Sequence, residues 1–157
     1  METENTDRTN SYKVAEVQLS YYPDIKASER PQIGSAIDAY RVFMQCWDKG
    51  KLQLVEQCKI MLLNHANRVL GIAEISSGGL ASTVVDPKLI FATTLKSAAS
   101  AIILVHNHPS NNLRASEEDK RLTERIYMGC KLFDILFFDH LIITAEGFTY
   151  FANEGLL

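Results

Sequence analysis

Five apolar residues, Ala101-Ile-Ile-Leu-Val105, run without a polar break into His106-Asn-His108. A run so short and so uniformly apolar reads as a strand buried on both faces. Cys58-Lys-Ile-Met-Leu-Leu63 reads the same way, as a second central strand. Strands with no wet face need helices packed over them, and the sequence supplies helical patterns between the runs. Ser35 with Asp38 starts one helix, in which Ile37, Tyr40, Met44 and Trp47 form the inner stripe and Gly50 the stop. Asp86-Pro87 caps a second, with Ile90, Phe91, Thr94, Leu95 and Ala98 facing inward. A third starts at Ser116.

Between these lie further strands. Asn64 to Asn67 turns into a strand over Val69 to Ile75, which Gly78-Gly79 closes. The strand–helix–strand order makes Ala101–Val105 parallel to an earlier strand. Ile135–Phe138 and His140–Thr144 read as two strands, and Glu146-Gly147 turns into Phe148–Phe151. Val17, Leu19 and Tyr21 alternate as a short edge strand that Pro23 ends. The expected architecture is three-layer α/β: a mixed central sheet flanked by helices. Residues 1–10 read as a disordered tail, 11–34 as the edge strand and a loop, and 35–157 as the main domain.

Composition narrows the function classes. A chain of 157 residues with 46% apolar and 22% charged residues is ordinary for one globular domain. No apolar stretch reaches the roughly 20 residues that span a bilayer, and the acidic start Met-Glu-Thr-Glu does not read as a signal peptide. The expectation is a cytoplasmic protein. Cys46, Cys58 and Cys130 stand in apolar patterns with no Cys-x-x-Cys pair and read as reduced, packed thiols. A net charge of −3 argues against strong non-specific binding to nucleic acid.

The chemistry gathers at residues 106–119. His106 and His108, two apart on a strand, aim their rings to one side. With Ser116 as helix cap, Asp119 shares an inward stripe with Leu122, Ile126 and Cys130. A carboxylate at the inner start of a helix is costly unless a cation or several donors meet it. Ser116-x-x-Asp119 is also close to a capping box, a structural device in its own right. His106, His108 and Asp119 together offer three zinc ligands and leave a fourth tetrahedral position open, the pattern of a hydrolytic site.

His106-x-His108, seven residues, Ser116, two residues, Asp119 resembles the JAMM (MPN/JAB) metalloprotease signature without a gap. His106-Asn-His-Pro-Ser110, Leu63-Asn64-x-x-Asn67-Arg68-Val69, Ala98 to Leu104 and Asp139-His140-Leu-Ile142 resemble the bacterial RadC branch. The resemblance covers about residues 35–157. It implies the JAB/MPN fold, cytidine-deaminase-like in architecture, and a zinc-dependent hydrolase of peptide or isopeptide bonds with a protein or peptide substrate. It places a general base just before the strand Cys58–Leu63, at Glu56; Glu74, inside the next strand, is the competing candidate. It makes Ser116 the oxyanion donor, or the helix cap alone. His140, beside Asp139, is a candidate for supporting the ligands from behind or for a structural role.

The sequence departs from the RadC pattern in three places. The helix-hairpin-helix region usual ahead of this domain is not in it, so DNA binding through that region is not implied. Asn111 stands where Gly is usual, a position where Asn tolerates positive φ. Gly78-Gly79 stands where Gly-Thr is usual. Two rival functions stay open. One is a DNA-repair or mobile-element accessory factor with a vestigial metal site, using Arg114, Lys120, Arg121, Arg125 and Lys131; but Glu117, Glu118 and Glu124 interleave with these. The other is a metal-dependent nuclease, disfavoured because phosphodiester cleavage more often uses two ions.

Overall fold

A computed structural model describes residues 14–79 and 83–157. The expected tail at 1–10 lies outside them. Five strands form one mixed sheet: β1 (Gln57–Leu63), β2 (Val69–Ser77), β3 (Ala101–Asn107), β4 (Leu136–Ile143) and β5 (Phe148–Tyr150). Their spatial order is β2-β1-β3-β4-β5. Helix α1 (Ala36–Cys46) covers one face; α2 (Pro87–Lys96) and α3 (Glu117–Leu132) cover the other.

The pleat explains the two cores. Met61 and Leu63 of β1 join Ala101, Ile103 and Val105 of β3 against Ala39, Phe43 and Trp47. Cys58, Ile60 and Leu62 join Ile102 and Leu104 against Ile90, Ile126 and Cys130 on the opposite face. Burying an aliphatic side chain of this size contributes roughly 1.5–3 kcal/mol, so β1 and β3, buried on both sides, anchor the sheet. The β1–β2 hairpin turns where Asn64 Oδ1 accepts from the amides of Ala66 and Arg68, both at 3.0 Å, and Asn67 takes φ 55°.

The strand–helix–strand reading needs one refinement. β1 runs antiparallel to both β2 and β3. β2 and β3 therefore point the same way, as α2 between them requires, but with β1 inserted between them. The parallel partner hydrogen-bonded to β3 is the later strand β4, reached through α3.

Four expectations are corrected. Residues 14–24 form no strand, and Val17 and Leu19 are 94% and 77% exposed. Alternation produces a strand only where one face has something apolar to cover, and here the segment meets the sheet through a Tyr21 hydroxyl bond to the Leu70 carbonyl. Helix α1 is rotated from the expected stripe: Ala39 and Phe43 face the core, Tyr40 and Met44 flank it, and Ile37 is exposed. It ends at Cys46 with extended backbone at Trp47, before Gly50, which sits in an Asp48 side-chain turn. In α2, Leu95 faces solvent, as does Ala98 beyond the helix end, leaving Ile90 and Thr94 as the buried pair. The two strands expected around Asp139 are one, β4. Asp139 does not break it, because its buried carboxylate accepts from the amides of His140 and Ala152. A register shift opposite Ile102/Ile103 absorbs the extra residue.

Cys58 and Cys130 are buried thiols, and burial pushes the Cys130 thiol up to about 11. Cys46 is exposed, contrary to its expected packing. No helix among the described residues is long and apolar enough to cross a membrane.

Gly129 sets how closely α3 approaches α2. A Cβ there would stand 2.3 Å from Phe91 Cζ. Gly129→Ala gains about 1 kcal/mol of helix propensity and meets an overpacking cost of about 1–3 kcal/mol. We expect a lower denaturant midpoint for Gly129→Ala, and recovery when Phe91→Leu is added.

Candidate metal centre

The site grows from the end of β3. His106 pairs with Cys58 of β1 on one side and Ile142 of β4 on the other, so its backbone is held from both flanks. The His108 amide then donates to the Ile143 carbonyl at 2.9 Å and prolongs that hold by one residue. Beyond it the chain turns at Asn111, whose φ is 61°. The positive φ accounts for Asn being acceptable at a position where Gly is usual.

Helix α3 delivers the carboxylate. Its first turn is a complete capping box: the Asp119 amide donates to Ser116 Oγ at 3.1 Å, and the Ser116 amide to Asp119 Oδ2 at 2.7 Å. Both readings of Ser116–Asp119 therefore meet in one pair, because the capping box also fixes where the carboxylate points. Asp119 Oδ1 lies 3.1 Å from His106 Nε2 and Oδ2 lies 3.7 Å from His108 Nε2. The two Nε2 atoms are 2.8 Å apart. Among the described residues, this is the one group of three such side chains whose ligand atoms lie within 4.8 Å of one another.

Donor chemistry tests whether a cation fits. His108 Nδ1 faces the Asn112 carbonyl oxygen, which can only accept. Nδ1 therefore carries the hydrogen, and in the neutral ring the Nε2 lone pair faces the site. Burial alone would raise Asp119, but its close approach to the His106 and His108 rings and to Ser116 outweighs it and holds the carboxyl well below the usual range. Burial pulls His108 down, but Asp119, the Asn112 carbonyl and Glu56 together outweigh it, so the ring favours a positive charge. An anion and two imidazole nitrogens facing one point are stable only around a proton or a metal ion. Two His and one carboxylate are a recognised zinc donor set, and ligand atoms about 2.0–2.2 Å from a tetrahedral ion stand roughly 3.3–3.6 Å apart. The observed 2.8–3.7 Å brackets that value. The residues fit a divalent cation.

A cavity of about 620 Å³ opens onto this cluster, lined also by Glu56, Cys58, Pro109, Ser116 and Leu122. Glu56 stands just ahead of β1, half-buried, and burial raises its carboxyl against the opposing pull of His106 and His108. Glu74 lies elsewhere. It pairs in register with Lys59, forms a 3.7 Å ion pair with it, and accepts from Gln57 Nε2 at 2.7 Å. Lys59 itself sits over the Trp47 ring, so Glu74 lies on the α1 face, across the sheet from the histidines.

Two residues that sequence reasoning passed over complete the site. Asn107, fully buried, points to the opposite side from its flanking histidines. Its Nδ2 donates to the carbonyls of Leu52 and Val55, both at 2.8 Å, and its Oδ1 accepts the Gln57 amide at 2.7 Å. These bonds bracket Glu56 and pin the segment that carries it. Thr123 bonds both the Asp119 carbonyl and His140 Nδ1. Period-2 alternation was the available signal for Asn107, and the i+4 spacing from Asp119 for Thr123. The Asp139-His140 pair divides: His140 Nε2 lies 2.7 Å from His106 Nδ1, whereas Asp139 holds the C-terminal turn.

The fold and the cluster define a three-layer α/β domain with a half-open His-His-Asp centre. A family model described as RadC-like JAB domain matches residues 33–156, and the chain belongs to that family. Relatives named UPF0758 protein include one from Flavobacterium johnsoniae, 40% identical over 101 residues, covering 64% of this chain and 44% of that protein. One from Porphyromonas gingivalis is 41% identical over 103 residues, 65% of this chain and 45% of its own. One from Salinibacter ruber is 35% identical over 132 residues, 82% and 54% respectively. The chain thus spans about half the length of these relatives, and their shared name states no reaction.

Asn107→Asp tests the clamp on Glu56. A carboxylate there would face two carbonyls with no hydrogen to offer, and we expect a stability loss of about 2–5 kcal/mol at pH 7. The folded-state pKa of such an Asp is raised above its unfolded value, so its contribution to stability is lost as pH rises through the folded pKa and recovered as pH falls. Urea denaturation should show a smaller deficit at pH 5 than at pH 7.

Proposed function

We propose that this domain is a zinc-dependent hydrolase of peptide or isopeptide bonds. The observation that carries the reading is the convergence of His106, His108 and Asp119 in the cavity that Glu56 and Ser116 also line. Two imidazoles and a carboxylate suit zinc over calcium or magnesium, which prefer all-oxygen donor sets. Zinc held by those three residues would acidify water to a pKa of about 7 and act as a Lewis acid toward a carbonyl.

The chain's own groups supply the rest. Glu56 acts as general base, taking a proton on its carboxylate and returning it to the departing amine. Its raised carboxyl brings its proton affinity nearer to neutral pH, as that dual role needs. Ser116 Oγ accepts the Asp119 amide to cap α3, a use of its lone pairs that leaves the hydroxyl hydrogen to turn between the Asp119 carboxylate and the cavity. That hydrogen is available to a developing oxyanion, so the cap and the oxyanion donor are compatible uses of one hydroxyl. Glu74, across the sheet, has no route to this chemistry.

A DNA-associated role, in repair or in mobile elements, is the second reading. Arg114, Arg121 and Arg125 line the cavity, and none lies within 4.0 Å of a carboxylate among the described residues. Its signature would be DNA affinity that falls steeply with salt and is weakened by Arg121→Gln with Arg125→Gln. Absence of binding at low salt removes this reading.

The hydrolase reading is tested by incubating the zinc-loaded chain with unfolded protein mixtures and isopeptide-linked conjugates and mapping new amino termini by mass spectrometry. Glu56→Gln should keep about one zinc per chain and lower cleavage by about 10²–10⁴-fold. Cleavage equal to that of the parent chain would refute Glu56 as the base. Zinc affinity should weaken as pH falls from 8 to 6, beginning above the ordinary imidazole range because His108 holds its proton more tightly than a free ring and that proton competes with the metal for the same nitrogen. Metal titration at pH 8, 7 and 6 measures this.

A further inference from the structure

Behind the metal cluster lies a hydrogen-bond chain with a direction. Thr123 Oγ1 is 2.7 Å from the Asp119 carbonyl oxygen and 2.6 Å from His140 Nδ1. His140 Nε2 is 2.7 Å from His106 Nδ1. His140 has no exposed surface, and Phe151 stacks on it with centroids 4.6 Å apart. The centre of this chain, at His140, is shut off from solvent.

The direction follows from the end that cannot donate. The Asp119 carbonyl only accepts, so the Thr123 hydroxyl hydrogen points at it; two oxygens 2.7 Å apart with no hydrogen between them would repel. With its hydrogen committed, Thr123 Oγ1 can only accept from His140, so His140 Nδ1 carries a hydrogen. A second hydrogen on His140 would make it a fully buried cation with no carboxylate in contact, a costly state. His140 Nε2 is therefore a bare lone pair, and His106 Nδ1 must donate to it. That leaves the His106 Nε2 lone pair facing Asp119 and His108.

We infer that Thr123 and His140 are positioning residues: they form a buried relay that fixes His106 in the tautomer able to bind a cation through Nε2. The inference rests on the metal-centre reading for its purpose, but the tautomer is a property of the metal-free chain as well. The relay begins at the backbone of Asp119 itself. One metal ligand thereby sets the proton position on another, and the turn of α3 that aims the carboxylate also orients the imidazole. His108 achieves the same result more simply, through one backbone carbonyl.

The test uses Thr123→Val, which keeps the shape of the side chain and removes the hydroxyl, with Thr123→Ser as the variant that restores it. Nitrogen-15 correlation spectra of the metal-free full chain at pH 8 report which ring nitrogen of His106 carries hydrogen. The parent chain and Thr123→Ser should show the Nδ1–H form, and Thr123→Val a mixture. Zinc affinity by chelator competition should fall about 10–100-fold in Thr123→Val and return in Thr123→Ser, with circular dichroism unchanged among all three. An Nε2–H tautomer at His106 in the parent chain overturns the relay, as does a Thr123→Val chain with unaltered tautomer and affinity. Failure of the parent chain to bind zinc would refute the metal-centre reading alone, since the tautomer spectra would still decide the relay.

Discussion

An anionic carboxylate and two imidazole nitrogens cannot be brought within 4 Å of one another for nothing. Each loses hydration on entering the protein, and each repels the others' lone pairs. Much of this small domain can be understood as what holds that arrangement in place. His106 is flanked by strands on both sides, Asp119 is locked by a reciprocal capping box, and His108 is tied to the Asn112 carbonyl. A cation shared among them would offset that cost, and the scaffold, with its doubly buried β1 and β3, supplies the rigidity that keeps these groups converged.

The parts of the fold most legible in the sequence are those whose burial is nearly complete. β1, β3 and α3 each bury a continuous run or stripe, so pattern alone locates them. The edge strand over Val17–Tyr21 failed because alternation says nothing about whether a partner surface exists, and α1 was misphased because the small Ala39, not a large apolar residue, marks its closest approach. The break expected at Asp139 failed because a buried carboxylate with two amide donors can sit inside a strand. Placing β1 between β2 and β3 depends on long-range pairing, which no local pattern reports.

The convergence of His106, His108 and Asp119 is readable from spacing because strand and helix periods are fixed by the backbone. Between the two candidate bases, Glu56 and Glu74, only the resemblance chooses; the register of Lys59 against Glu74 then puts Glu74 across the sheet from the histidines. Residues that act through hydrogen bonds to carbonyls escaped notice for a related reason. Asn107 and Thr123 have partners 52 to 55 and 17 residues away in the chain, and a polar side chain gives no sign in sequence of which distant carbonyl or ring it will meet.

One consequence of the pleat ties these residues together. Three consecutive positions, His106, Asn107 and His108, point to alternate faces of one strand end. The outer two offer ligands on the α3 side; the middle one reaches through to the α1 side and clamps the segment bearing Glu56. A shift of β3 by a single residue would exchange the faces and lose ligands and clamp together. The distance from the metal ligands to the carboxylate proposed as base is thereby set by backbone geometry rather than by flexible side chains. Groups held by neighbouring strands and a capped helix in this way keep their spacing more closely than groups carried on loops.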